Sequence, residues 1–254
     1  MNSYKEIPWL TYRNDIIDFL NLGKDRNPVY GLLEVDITKV SHIFSEREKQ
    51  GNKSNSIITY LLWCFGQAVK SHPEIQAIKK GDKLILFDDV DIAMMVEKSL
   101  REEKKIPVPH IFRSVQNKSY HEINDELQNV KNRGFNEVRK RKKSPIFSAL
   151  PNFMRLFILR RLLKSPVKSK EAFGTVALTS LGMVMDNRRF WPIPIGPYPC
   201  TIASGGTYTK RETDGEKIML CLTFCIDHNL TDGAPGTRFS KTLINLLESG
   251  EGLS

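Results

Sequence analysis

The chain has 254 residues, 40% of them hydrophobic and 26% charged, a balance that excludes disorder along its length and suits one large core. No apolar run reaches the roughly 20 residues that cross a bilayer, and Met1-Asn2-Ser3-Tyr4-Lys5-Glu6 lacks the charged-then-apolar order of a signal peptide, so a cytoplasmic location is expected. The formal charge of +9 is largely local: Arg139-Lys140-Arg141-Lys142-Lys143 opens a basic stretch that continues through Arg155, Arg160, Arg161, Lys164, Lys168 and Lys170 with almost no acid.

In chain order, Gly31 to Ile37 alternates toward its end as a half-buried strand does, and Asp36-Ile37-Thr38 leads into a short helix. From Ser56 to Ser71, Ile57, Leu61, Leu62, Phe65 and Val69 recur at helical spacing until His72-Pro73 stops the run, which predicts a core helix. Strands are predicted at Lys83 to Phe87 and Val90 to Val96, joined by an acidic turn, and a polar surface helix at Tyr120 to Lys143, with Ile123, Leu127 and Val130 inward and Gly134 its weak point. Gly174 to Leu178, Tyr198 to Ser204 and Lys217 to Ile226 read as strands, the last so apolar that it should be central and covered on both faces. A closing helix starts with Asp232 as its cap and Pro235 in its first turn, and buries Phe239, Leu243, Leu246 and Leu247. This order predicts an α/β (α+β) fold, a single domain over 1–254 with helices on a mixed sheet rather than regular βαβ units.

Several chemistries lose their usual support. There is no glycine-rich phosphate loop, no internal repeat and no nucleic-acid-binding module, so no nucleic acid partner is expected. Cys64, Cys200, Cys221 and Cys225 form no C-x-x-C pair and lie in apolar stretches, which predicts reduced, buried thiols and no metal. The informative stretch is Leu222-Thr223-Phe224-Cys225-Ile226-Asp227-His228, a buried strand ending in histidine, followed by Asp232-Gly233 at a helix start. An imidazole there, with an ordinary pKa of about 6.5, can take the proton of a thiol that by itself ionises only near pH 8.5. Residue types alone leave a second reading open, in which His228 merely ends a strand and Asp232 merely caps a helix.

The run Asp227-His228-Asn229-Leu230-Thr231-Asp232-Gly233-Ala234-Pro235 with Arg238-Phe239 resembles the C-terminal signature of the acyltransferase subunit of 2-oxoacid dehydrogenase complexes, whose catalytic domain has the chloramphenicol acetyltransferase-like fold. Gly174-Thr175 with Thr179-Ser180-Leu181-Gly182-Met183, Leu33 to Thr38, and Ser71 to Ala77 resemble further motifs of that family in the same order, over roughly residues 5 to 250. The resemblance implies coenzyme A or acyl-coenzyme A as substrate, His228 as general base, and Thr179, with Ser180 as second choice, donating to the oxyanion. It also implies that Asp232, followed by Gly233, holds the active-site loop by pairing with Arg13. A homotrimer, or a higher assembly of trimers, follows from the family's habit of building its site between subunits, with His228 and Thr179 from different chains. The acyl group and its thiol, hydroxyl or amine acceptor stay open.

The sequence also departs from the family. It opens on catalytic-domain sequence without lipoyl or partner-binding regions, which predicts no covalently bound lipoyl group in this chain and either a standalone enzyme or one served by separately encoded lipoyl proteins. Asn229 replaces the family's usual arginine. The basic, apolar insertion at about 140–170 contains Phe153 to Leu163, in which every polar residue is cationic. Two readings stand for it: a helix packed over the acyl pocket or another subunit with its arginines facing water, or a peripheral contact with an anionic membrane surface. From another class, a non-catalytic oligomeric scaffold of the same fold needs neither His228 nor Asp232.

Overall fold

The computed structural model describes residues 3–10, 12–51, 55–101, 104–132, 147, 150–182, 187–213 and 215–253. Gly134, Met183 and the cations from Arg139 to Lys143 lie outside the described residues. The helices are α1 (Tyr12–Leu22), α2 (Thr38–Lys49), α3 (Ile57–Ser71), α4 (Tyr120–Asn132), α5 (Asn152–Leu163), α6 (Pro166–Phe173) and α7 (Gly233–Ser249). The strands are β1 (Pro28–Asp36), β2 (Ile78–Lys80), β3 (Lys83–Ile85), β4 (Ile92–Arg101), β5 (Lys104–Phe112), β6 (Val176–Ser180), β7 (Cys200–Glu212) and β8 (Gly215–Asp227).

Six strands form a mixed sheet in the order β1-β8-β7-β6-β4-β5, with β6 parallel to both β4 and β7 and the other neighbours antiparallel. β8, expected to be central, lies one strand in from the β1 edge, between β1 and β7, and is buried without a break from Met219 to Phe224. One face of the sheet meets α3 and α7, where Val35, Leu222 and Phe224 pack with Phe65, Phe239 and Leu243. α3 starts where its sequence says it should: the Ser56 hydroxyl oxygen accepts from the Thr59 N–H, satisfying one of the free donors of the first turn. Gly236 lets α7 sit close on β8, because a Cβ there would lie 2.8 Å from Ile226 Cδ1.

Three elements differ from the sequence expectations. β5 was not among the expected strands, and its Pro107 and Pro109 weaken the strand pattern; it is the last strand of the sheet, and the ladder with β4 runs unbroken past both prolines. Residues two apart present their N–H positions on one side, so both missing donors fall on the open edge. The strand expected at Lys83 to Phe87 ends at Ile85 and forms a separate hairpin with β2, turning at Gly81, whose φ of +61° suits glycine. β7 runs on past Ser204, through an irregularity in its register with β8 between Ser204 and Thr207.

The insertion holds α5, where Arg160 and Arg161 face solvent as expected but Arg155 does not. Arg155 points inward: Nε donates to Asp18 Oδ2 at 2.7 Å, Nη2 to Asp18 Oδ1 at 3.4 Å and Nη1 to the Leu150 carbonyl at 2.8 Å. Asp18, on α1, is fully buried and Arg155 nearly so. An ionised carboxylate there is costly unless paired, so the ion pair sets the rotation of α5 and turns apolar side chains to the surface. Arg155→Met alone is expected to destabilise the fold by about 3–5 kcal/mol, and the double change Asp18→Leu with Arg155→Met to restore most of that loss, as read by urea denaturation.

Candidate active site

β8 delivers His228 to the mouth of the sheet, where the strand stops and its side chain emerges into solvent. The backbone there is fastened from several sides. His228 N–H donates to the Asn27 carbonyl at 2.9 Å, and Asp227 N–H to the Pro199 carbonyl at 2.9 Å. Asp227, 5% exposed, accepts Arg26 Nη1 on Oδ2 at 2.6 Å, and on Oδ1 the N–H groups of Asn27 at 3.2 Å and Asn229 at 3.1 Å. Asn27 Nδ2 donates to Asn229 Oδ1 at 2.8 Å. Partial burial holds the Arg26 pKa below its ordinary value, although the Asp227 charge pulls it the other way.

Beyond His228 the chain turns on the Asp227 carbonyl, which accepts the N–H groups of Leu230 and Thr231, and the Thr231 hydroxyl donates to the Glu74 carbonyl at 3.2 Å. Asp232 then takes the N-cap position of α7 with extended backbone, but its exposed carboxylate accepts no bond from the first turn, so the expected cap is one of position only. Gly233 is not demanded by crowding within the chain, since a Cβ there would meet nothing within 4 Å.

Thr179 and Ser180 end β6, half-buried, opposite Ala203 and Ser204 of β7. Leu181 N–H closes the turn on the Ser204 carbonyl at 3.0 Å, and Gly182 is needed there because a Cβ would collide with the Gly205 carbonyl oxygen. Ala203 pairs in turn with Thr223, five residues before His228. Two strand spacings and five residues of rise place Thr179 and His228 roughly 20 Å apart within one chain. The chain thus brings His228, Asp232 and Gly233 together, and Thr179 with Ser180, but does not bring the two groups together. Arg13 is exposed on α1 and makes no ion pair with Asp232 among the described residues.

The cysteines do not offer a nucleophile. Burial pushes the Cys225 thiol up to about 11, against the lowering effect of the Tyr30 hydroxyl, and raises Cys64, Cys200 and Cys221 as well. Among the described residues no group of three or more His, Cys, Asp and Glu side chains stands close enough to hold a metal ion. No helix among them is long and apolar enough to cross a membrane. Sequence reasoning missed Arg26 and the clamp it makes on Asp227; Arg26 sits in an ordinary polar turn, and nothing local marks a partner 201 positions away.

The sequence profile of the 2-oxoacid dehydrogenases acyltransferase (catalytic domain) matches residues 1–143, more than half of the chain. The chain belongs to this family. It is an acyltransferase catalytic domain, and the matched segment covers the N-terminal half, up to the insertion. No curated protein matches the chain. Among solved structures, the cubic core of the pyruvate dehydrogenase multienzyme complex is 17% identical with a TM-score of 0.70, covering 99% of this chain and 94% of that one. Azotobacter vinelandii dihydrolipoamide acetyltransferase is 16% identical with a TM-score of 0.71, covering 99% and 94%. A chloramphenicol acetyltransferase is 15% identical with a TM-score of 0.52, covering 94% and 96%. The acyltransferase therefore has the chloramphenicol acetyltransferase-like fold expected from its motifs.

Proposed function

We propose that this family member transfers an acyl group between a coenzyme A thioester and an acceptor thiol, in a site that His228 of one subunit and Thr179 of a neighbour form together. The observation that carries this reading is the presentation of His228: backbone locked on three segments, imidazole exposed at the end of the apolar strand β8. In the Azotobacter enzyme a histidine and an asparagine four positions apart are among the residues studied for a role in its catalytic mechanism, and His228 and Asp232 have the same spacing.

In this reading the His228 imidazole takes the acceptor's thiol proton, and the thiolate attacks the thioester carbonyl carbon. The tetrahedral oxyanion accepts a hydrogen bond from the Thr179 hydroxyl, with Ser180 beside it. Collapse breaks the bond to the coenzyme A sulfur, which recovers the proton from the imidazolium. No cysteine intermediate is needed, in keeping with the raised thiol pKa values. A separation of roughly 20 Å within one chain favours a cyclic assembly, a homotrimer or a cluster of trimers, as the working unit. In such an assembly Asp232 faces Arg13 of a neighbour and steadies the loop that Gly233 opens. The whole span 1–254 then serves as one catalytic domain.

The test is release of coenzyme A thiol from a panel of acyl-coenzyme A esters, with free dihydrolipoamide as acceptor. Transfer to dihydrolipoamide supports service to separately encoded lipoyl proteins; transfer only to another thiol, hydroxyl or amine supports a standalone enzyme. Failure to bind any acyl-coenzyme A in calorimetry would leave the non-catalytic scaffold in its place.

A further inference from the structure

α5 shows solvent a face that an isolated soluble domain has no use for. Phe153 and Phe157, one turn apart, are 72% and 67% exposed, and Met154 and Ile158 flank them at 40% and 41%. The following turns of the same side of α5 carry Arg160, Arg161 and Lys164, and the next helix, α6, adds Lys168, all exposed. Only Arg160 meets an acid among the described residues, Asp25 at 3.7 Å, itself 82% exposed. The facing is fixed rather than incidental, because the buried Arg155–Asp18 pair holds the helix in this rotation.

We infer that this face seats the protein on an anionic bilayer, with Phe153 and Phe157 entering the boundary of the acyl chains and Arg161, Lys164 and Lys168 meeting lipid headgroup phosphates. The chemistry is that of interfacial helices, which combine aromatic and apolar contact with cations at the polar boundary. At 12 residues α5 is about 18 Å long, too short to span, so it lies in the plane of the interface. A two-fold contact with a second copy is a poor occupant, since it sets the same cations against one another and like charges across an interface are repulsive; a three-fold contact meets a different patch of the neighbour, and the oligomeric state of the phenylalanine variant reads that case. An anionic surface that is apolar just beneath its charges complements both halves of the face.

The experiment is cosedimentation of the full chain with phosphatidylcholine vesicles, with and without phosphatidylserine, at low and high salt. Binding is expected with phosphatidylserine at low salt and is expected to fall as salt rises. Phe153→Ala with Phe157→Ala should weaken it by roughly tenfold or more. Arg161→Gln with Lys164→Gln and Lys168→Gln should remove the preference for phosphatidylserine. Both variants should keep wild-type melting, oligomeric state and acyl transfer to a soluble acceptor, since they change only exposed side chains. No binding by the wild type, or equal binding by the variants, overturns the inference. So does a change of oligomeric state in the phenylalanine variant, which would make the face a subunit or protein interface.

Discussion

His228→Ala is expected to lower acyl transfer by roughly 100- to 10,000-fold, the range over which a positioned general base contributes. The loss should fall on kcat, with folding unchanged, because the imidazole is exposed and the loop is fastened by backbone groups and by Asp227. Thr179→Val, which removes the hydroxyl and keeps the shape, should cost roughly 100- to 1,000-fold. The informative measurement mixes the two. If each site takes His228 from one chain and Thr179 from the next, an equal mixture of the variants re-forms some sites with both groups intact. Random mixing in a cyclic trimer gives about one quarter of wild-type sites. No recovery, in mixtures shown by mass spectrometry to contain mixed trimers, would place the oxyanion donor elsewhere.

Loss of the Asp227 clamp should have the next largest effect. One carboxylate, 5% exposed, binds Arg26 and the backbone N–H groups of Asn27 and Asn229, so it joins the turn before β1 to the end of β8. Arg26→Met strands that carboxylate without its counter-charge and should destabilise by about 3–5 kcal/mol, measured by urea denaturation. Displacement of the loop by about 1 Å lowers rate by the order of 100-fold. Asp227→Asn, which keeps an oxygen for the two N–H groups and loses the charge, should retain more activity than Asp227→Ala, and Arg26→Lys more than Arg26→Met. Activity that follows stability alone across this series would deny Asp227 a part in placing His228.

What the sequence made legible was local. α3 and α7 announced themselves through apolar spacing and their first residues, and β8 through a run with no polar break. His228 and Thr179 stood in short motifs at the ends of strands, where the chemistry of a family is written in adjacent residues. The facing of α5 was not legible for a physical reason: its apolar residues occur all round the helix, so no periodicity marks a buried side. Asp18, 137 residues earlier, decides which side turns in. Arg26 escaped for the same reason, its role resting on a pairing across 201 positions. β5 was hidden by prolines that weaken any strand except one at an edge.

Those prolines have a consequence for how the sheet meets other chains. At the β5 edge Pro107 and Pro109 leave two gaps in the row of donors, so an incoming strand finds an incomplete template. The opposite edge, β1, keeps its N–H groups after Pro28. Strand-by-strand growth into a fibre needs both edges of each sheet to be competent. With only one competent edge, a pairing through β1 closes on a single neighbour and stops, so the fold carries its own terminator against runaway polymerisation.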